Sequence, residues 1–71
     1  MLLQINGKRQ NIEGINNSES ITITKLLEII KVKPETVAIE IDNQVIDREH
    51  WNNFQLDSQK KIEILKFVGG G

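Results

Sequence analysis

The residues with the most chemical potential in this chain of 71 stand at its end: Lys66-Phe67-Val68-Gly69-Gly70-Gly71. Glycine loses more backbone freedom on folding than any other residue, and chain ends fray unless something ties them down. Three in a row are costly to order but make a slim arm without side chains, with the Gly71 α-carboxylate at its tip. A carboxylate is a poor electrophile, because its charge is delocalised and oxide is a poor leaving group. Once activated, however, a glycyl carbonyl is open to attack because no β-carbon crowds it. Fully extended, the three glycines span roughly 10 Å, enough to carry that carbonyl into a partner's cleft. The competing reading is an unstructured tail or a leftover linker.

The rest of the chain offers little chemistry. It has no cysteine, which removes disulfides, thiolate nucleophiles and thiolate metal sites together. His50 is the only histidine, with no second one at metal spacing, and Glu49, Ser18, Ser20 and Ser58 form no recognisable triad with it. It reads as a surface residue beside Trp51, and no metal site is expected. The net charge is −1, with Lys25, Lys31, Lys33, Lys60, Lys61 and Lys66 interleaved among acids and apolar residues. That pattern lacks the basic stripe of a nucleic-acid binder. No apolar run approaches the roughly 20 residues of a membrane span, and no signal segment opens the chain. A chain this short buries only about 60% of its unfolded surface, enough for a thin core but not for a catalytic pocket. The expectation is a single soluble domain, monomeric when free and not itself an enzyme, with no bound cofactor. Its compartment is expected to be cytoplasmic, with the plastid stroma as the alternative for so Ile-, Asn- and Lys-heavy a composition.

The elements that must position the tail follow from periodicity and turn chemistry. "LLQINGKRQNI" predicts two strands joined at Asn6-Gly7, since both residues tolerate the positive φ of a type I′ turn. Alternation puts Leu3 and Ile5 on one face, Leu2 and Gln4 on the other. "EGINNSES" reads as a loop. In "TITKLLEIIKV", Ile23, Leu26, Leu27 and Ile30 fall on one helical face, with Thr22 as N-cap and Ile21 as a staple. Lys31 and Lys33 lie near the helix C-terminus, and Pro34 stops it. "TVAIEID" alternates Val37, Ile39 and Ile41 inward against Ala38 and Glu40, then turns at Asp42-Asn43 into a short "QVI" strand. "DREHWNNF" starts one helical turn capped by Asp47, "LDSQ" is a turn, and "KKIEILKFV" is the last strand. On that strand Ile62 and Ile64 face inward, Leu65 and Phe67 outward.

One helix across one face of a sheet is a two-layer α+β domain. The order matches the β-grasp, ubiquitin-like fold: a mixed sheet of four to five strands, with the last strand central and parallel to the first. Residues 1–68 form the domain and 69–71 a flexible reactive tail. Because the helix covers one face only, Leu65 and Phe67, joined by Ala38 and Leu2, form an exposed apolar patch just upstream of the tail, the kind of surface that docks partners.

Three segments make the chain resemble a family: "INGK" near the start, "VAIEIDNQVI" with Arg48 two residues beyond it, and the closing "FVGGG". Together with "LLEII" in the helix they are similar to the ThiS family, sulfur carrier proteins of thiamine biosynthesis, and the resemblance covers essentially the whole chain. Asp47 stands where a proline often precedes the arginine, and "DSQK" replaces an Asp-Gly-Asp-like turn; both departures lie away from the tail. The resemblance implies that an E1-like adenylyltransferase (ThiF) uses ATP and Mg²⁺ to adenylate the Gly71 carboxylate. Sulfur from a cysteine desulfurase then replaces AMP, and thiazole synthase (ThiG) takes sulfur from the resulting thiocarboxylate. Two other uses of the same tail stand beside it: a sulfur carrier for molybdopterin synthesis, and a ubiquitin-like modifier joined through Gly71 to a lysine. A β-grasp interaction module with an incidental glycine tail is the last alternative.

Overall fold

The computed structural model describes residues 1–67. Strands β1 (Leu2–Ile5) and β2 (Lys8–Asn11) form a hairpin whose two-residue turn has Asn6 at φ 52° and Gly7 at φ 80°. Both angles are those the predicted type I′ turn demands. A two-residue strand β3 (Ile21–Thr22) leads into the helix α1 (Ile23–Ile29). β4 (Val37–Ile41) and β5 (Gln44–Val45) make a second hairpin, again across two left-handed residues, Asp42 at φ 50° and Asn43 at φ 71°. After a 3₁₀ turn at Arg48–His50 come β6 (Gln55–Leu56) and β7 (Lys61–Lys66).

The main sheet has the order β2-β1-β7-β4-β5. β7 pairs parallel with β1 (Gln4 opposite Lys61, Ile5 opposite Ile62) and antiparallel with β4, from Ile41 opposite Ile62 to Val37 opposite Lys66. The last strand is therefore central, with one helix against a mixed five-stranded sheet, as the β-grasp expectation requires. Ile23, Leu26 and Leu27 of α1 bury themselves against Leu3, Ile5, Val37, Ile39, Ile41 and Ile62 in one apolar cluster.

Local structure departs from expectation in four places. The helix ends before Pro34 can stop it. Lys31 takes a left-handed conformation (φ 61°), the Val32 N–H donates to Leu27 O at 2.9 Å and the Lys31 N–H to Glu28 O at 3.3 Å. This is a Schellman-type stop with lysine where glycine is usual, and Pro34 instead opens a 3₁₀ turn. The segment expected as a turn around Leu56 contains β6, which pairs with β3 (Ile21 opposite Leu56) and buries Leu56 completely. Asp47 sits at the N-cap of its 3₁₀ turn but makes no side-chain cap bond. Among the described residues the last strand runs Lys61–Lys66, starting one residue later than the expected Lys60 and followed by the bond from Phe67 N–H to Thr36 O (3.1 Å), while Val68 of the expected run lies outside the described residues.

Candidate functional site

The candidate site is built around the end of β7, where alternation assigns each residue a face. Ile62 is fully buried and Ile64 packs against the core from the helix side. Leu65 and Phe67 point the other way and are 44% and 63% exposed. Ala38 lies directly opposite Leu65 across the β4–β7 ladder and continues this surface. The expected patch therefore exists at these three positions, at the root of the glycine arm.

Leu2 does not belong to it. β1 runs parallel to β7 with Gln4 opposite Lys61, so Leu2 lies beside the start of β7, in a hollow with Arg9, Ser58 and Gln59. Six residue steps along the strands separate it from Leu65, roughly 20 Å at the usual strand rise. Alternation gave its face correctly but not its place along the strand.

Val45 joins the patch instead. Glu40 is opposite Val45 in the β4–β5 hairpin, which puts Val45 on the same face as Ala38 and leaves it 67% exposed. Phe67, Ala38 and Val45 line a shallow apolar groove, with Asp47, Arg48 and the edge of Trp51 along its far rim. The signal for Val45 was in the sequence: a two-residue turn at Asp42-Asn43 fixes the register and with it the face of every residue in "QVI". Arg48 is held at that rim, its guanidinium 5.3 Å over the Trp51 ring and bonded to Val37 O at 3.4 Å. Trp51 is anchored in turn, 4% exposed, with its indole N–H donating to Ile46 O at 2.9 Å.

His50 is exposed, 3.6 Å from the Glu49 carboxylate, and no Ser18, Ser20 or Ser58 hydroxyl is bonded to it. Asp47, Glu49 and His50 bring one ligand atom each to within 4.8 Å of one another, all three exposed, Asp47 at the N-cap of the 3₁₀ turn and the other two within it. Gly69, Gly70 and Gly71 lie outside the described residues, as does the expected domain boundary at 68. Among the described residues no helix is long and apolar enough to cross a membrane.

Residues 3–71 match the ThiS family. The chain belongs to that family. Its likeness to solved members extends to the whole fold: a crystal structure of the thiamine biosynthesis protein ThiS from Geobacter metallireducens superposes with a TM-score of 0.84 at 35% identity, covering 100% of both chains. The sulfur carrier protein ThiS of Bacillus subtilis is 31% identical over 70 residues, 99% of this chain and 100% of that one. A thiazole synthase of Paramagnetospirillum magneticum is 31% identical over 71 residues, all of this chain but 20% of that protein. A ThiS-like stretch thus occurs within a longer protein named for thiazole synthesis.

Proposed function

We propose that this chain is a sulfur carrier of thiamine biosynthesis and that Gly71 carries the sulfur. The observation that carries the reading is the extent of the ThiS match, which runs through the final glycines to residue 71. The chain supplies the carrier and its partners supply the catalysis. An E1-like adenylyltransferase of the ThiF type presents ATP and Mg²⁺. A Gly71 carboxylate oxygen attacks the α-phosphorus, pyrophosphate leaves, and the acyl carbon gains AMP as a good leaving group. The terminal sulfur of a persulfide, supplied through a cysteine desulfurase, then attacks that carbon and AMP departs. Reduction of the sulfur–sulfur bond by a thiol leaves the thiocarboxylate. The acceptor is a thiazole synthase of the ThiG type, a reading supported by the thiazole synthase that contains a chain-length stretch similar to this one. ATP-dependent activation suits the cytoplasm, or the stroma in a plastid.

An arm of glycines offers partners little to recognise, so the body must provide specificity. The patch of Ala38, Val45, Leu65 and Phe67 lies at the root of the arm and is apolar, as the core of a protein interface is. Both the activating enzyme and the thiazole synthase contact it, and they bind in turn.

The test is to move the reactive carbon. Deleting Gly71, or adding one residue after it, abolishes thiocarboxylate formation while circular dichroism shows the fold intact. Full activity in the extended, unprocessed variant would sink the assignment of Gly71.

A further inference from the structure

The central strand is held unevenly along its two edges. Toward β4 its ladder runs to Val37 opposite Lys66 and is prolonged by the bond from Phe67 N–H to Thr36 O. Toward β1, strand pairing covers only Lys61 and Ile62, after which the Asn6 N–H donates to Ile62 O at 2.9 Å. β1 then turns away through Asn6 and Gly7, which would leave both backbone groups of Ile64 without a partner strand. They are paired nonetheless. The Ile64 N–H donates to Asn6 Oδ1 at 2.7 Å, and Asn6 Nδ2 donates to Ile64 O at 3.2 Å. The side-chain amide presents an N–H donor and a carbonyl acceptor on neighbouring atoms, and with them stands in for the missing strand at Ile64.

The turn alone does not call for asparagine. Its positive φ is met equally by glycine or aspartate. Glycine has neither bonding group, and a carboxylate accepts but cannot donate. Asparagine alone of the three meets the turn geometry and makes both bonds to Ile64.

We propose that Asn6 is a positioning residue for the carboxy-terminal arm: its amide closes the β1 edge of β7 at Ile64 and so fixes the direction in which the chain leaves the sheet. This rests on the reading of Gly71 as the reactive group. Without the amide, the last residue of β7 bonded along the β1 edge moves back from Ile64 to Ile62, about 7 Å of strand. The root of the arm is then tied on the β4 side only, ending in one bond to Thr36. The docking patch is untouched, so the carrier still binds, but the Gly71 carboxylate is presented less accurately to the activating site. A misplacement of about 1 Å can cost on the order of 10²-fold in rate.

The experiment compares full-length wild type, Asn6→Gly, Asn6→Asp and Thr22→Ala. The last removes the helix cap at Lys25 N–H and serves as a destabilised control away from the end of β7. Each is incubated with activating enzyme, ATP and a sulfur source, and kcat and KM for thiocarboxylate formation are read by intact mass. Amide exchange at Ile64 and Leu65 is measured on the free proteins. The expected result is a kcat about tenfold or more lower for Asn6→Gly with KM little changed, Asn6→Asp between it and wild type, and Thr22→Ala close to wild type despite its lower Tm. Ile64 should lose exchange protection in Asn6→Gly while Leu65, which faces β4, keeps it. Equal kcat for wild type and Asn6→Gly, or unchanged exchange at Ile64, overturns this proposal alone. No thiocarboxylate on the wild type itself would overturn the Gly71 reading and this proposal with it.

Discussion

Adjacent positions of one strand do opposite work in this molecule. Ile62 and Ile64 face the helix and belong to the apolar cluster that holds the fold, whereas Leu65 and Phe67 face solvent and stabilise little. The same contrast runs through β4, where Val37 and Ile39 are buried and Ala38 between them is partly open. A period of two thus divides stability from recognition without a separate domain for either. The lesson is that substitutions on the two faces should fail by different routes, one in unfolding and the other in binding.

The largest effects belong to the buried cluster, which takes in the inner faces of the strands and Trp51. Trp51→Ala removes a buried ring together with its bond to Ile46 O, and costs about 3–5 kcal/mol in urea unfolding, the range for large core truncations. Ile62→Ala, at the crossing of β1, β4 and β7, costs about 2–5 kcal/mol. A value for Ile62 near zero would mean that the two faces do not differ as described. On the outer side, Phe67→Asp changes unfolding stability by no more than about 0.5 kcal/mol. Its affinity for the activating enzyme and for the thiazole synthase falls by about tenfold or more, as at an interface anchor. Calorimetry with both partners reads this directly, and unchanged affinity for both moves the interface elsewhere. Leu2→Ser sharpens the contrast along the strand rather than across it: lying about 20 Å from Leu65, it should leave both affinities unaltered. The smallest effect is expected for His50→Ala, exposed and tied only to Glu49, with sulfur transfer and stability both near wild type. A marked loss of transfer at normal stability would give His50 a role in the chemistry.

Much of this division could be read from the sequence because its causes are local. Alternation in "TVAIEID" and "KKIEILKFV" fixed which residues face the helix, and Asn6-Gly7 and Asp42-Asn43 fixed two turns through their tolerance of positive φ. Where a position depends on pairing with a remote strand, the sequence was silent or misleading. Leu2 was assigned its correct face but the wrong neighbours, since the parallel register of β1 on β7 is set by contacts about sixty residues apart. β3 and β6 are two residues each, too short for any periodicity to declare them. The helix stop at Lys31 escaped because a left-handed lysine is held there by the bonds from Lys31 N–H to Glu28 O and from Val32 N–H to Leu27 O, not by its own preference. Asn6 was legible as a turn residue, but its second use as a partner for Ile64 appears only once β1 and β7 are side by side. Gly71 is singled out by a different route, from the chemistry open to a glycine arm and from resemblance, and the ThiS match extends over that residue.

The most direct test of sulfur carriage at Gly71 is an intact mass spectrum of the chain after incubation with activating enzyme, ATP, Mg²⁺ and a persulfide sulfur source. The predicted result is a single mass gain equal to the exchange of one oxygen for one sulfur, located by fragmentation to Gly71, absent without ATP and reversed on transfer to thiazole synthase. An unchanged mass under conditions where another ThiS protein is converted, or the same gain on a residue other than Gly71, would contradict it.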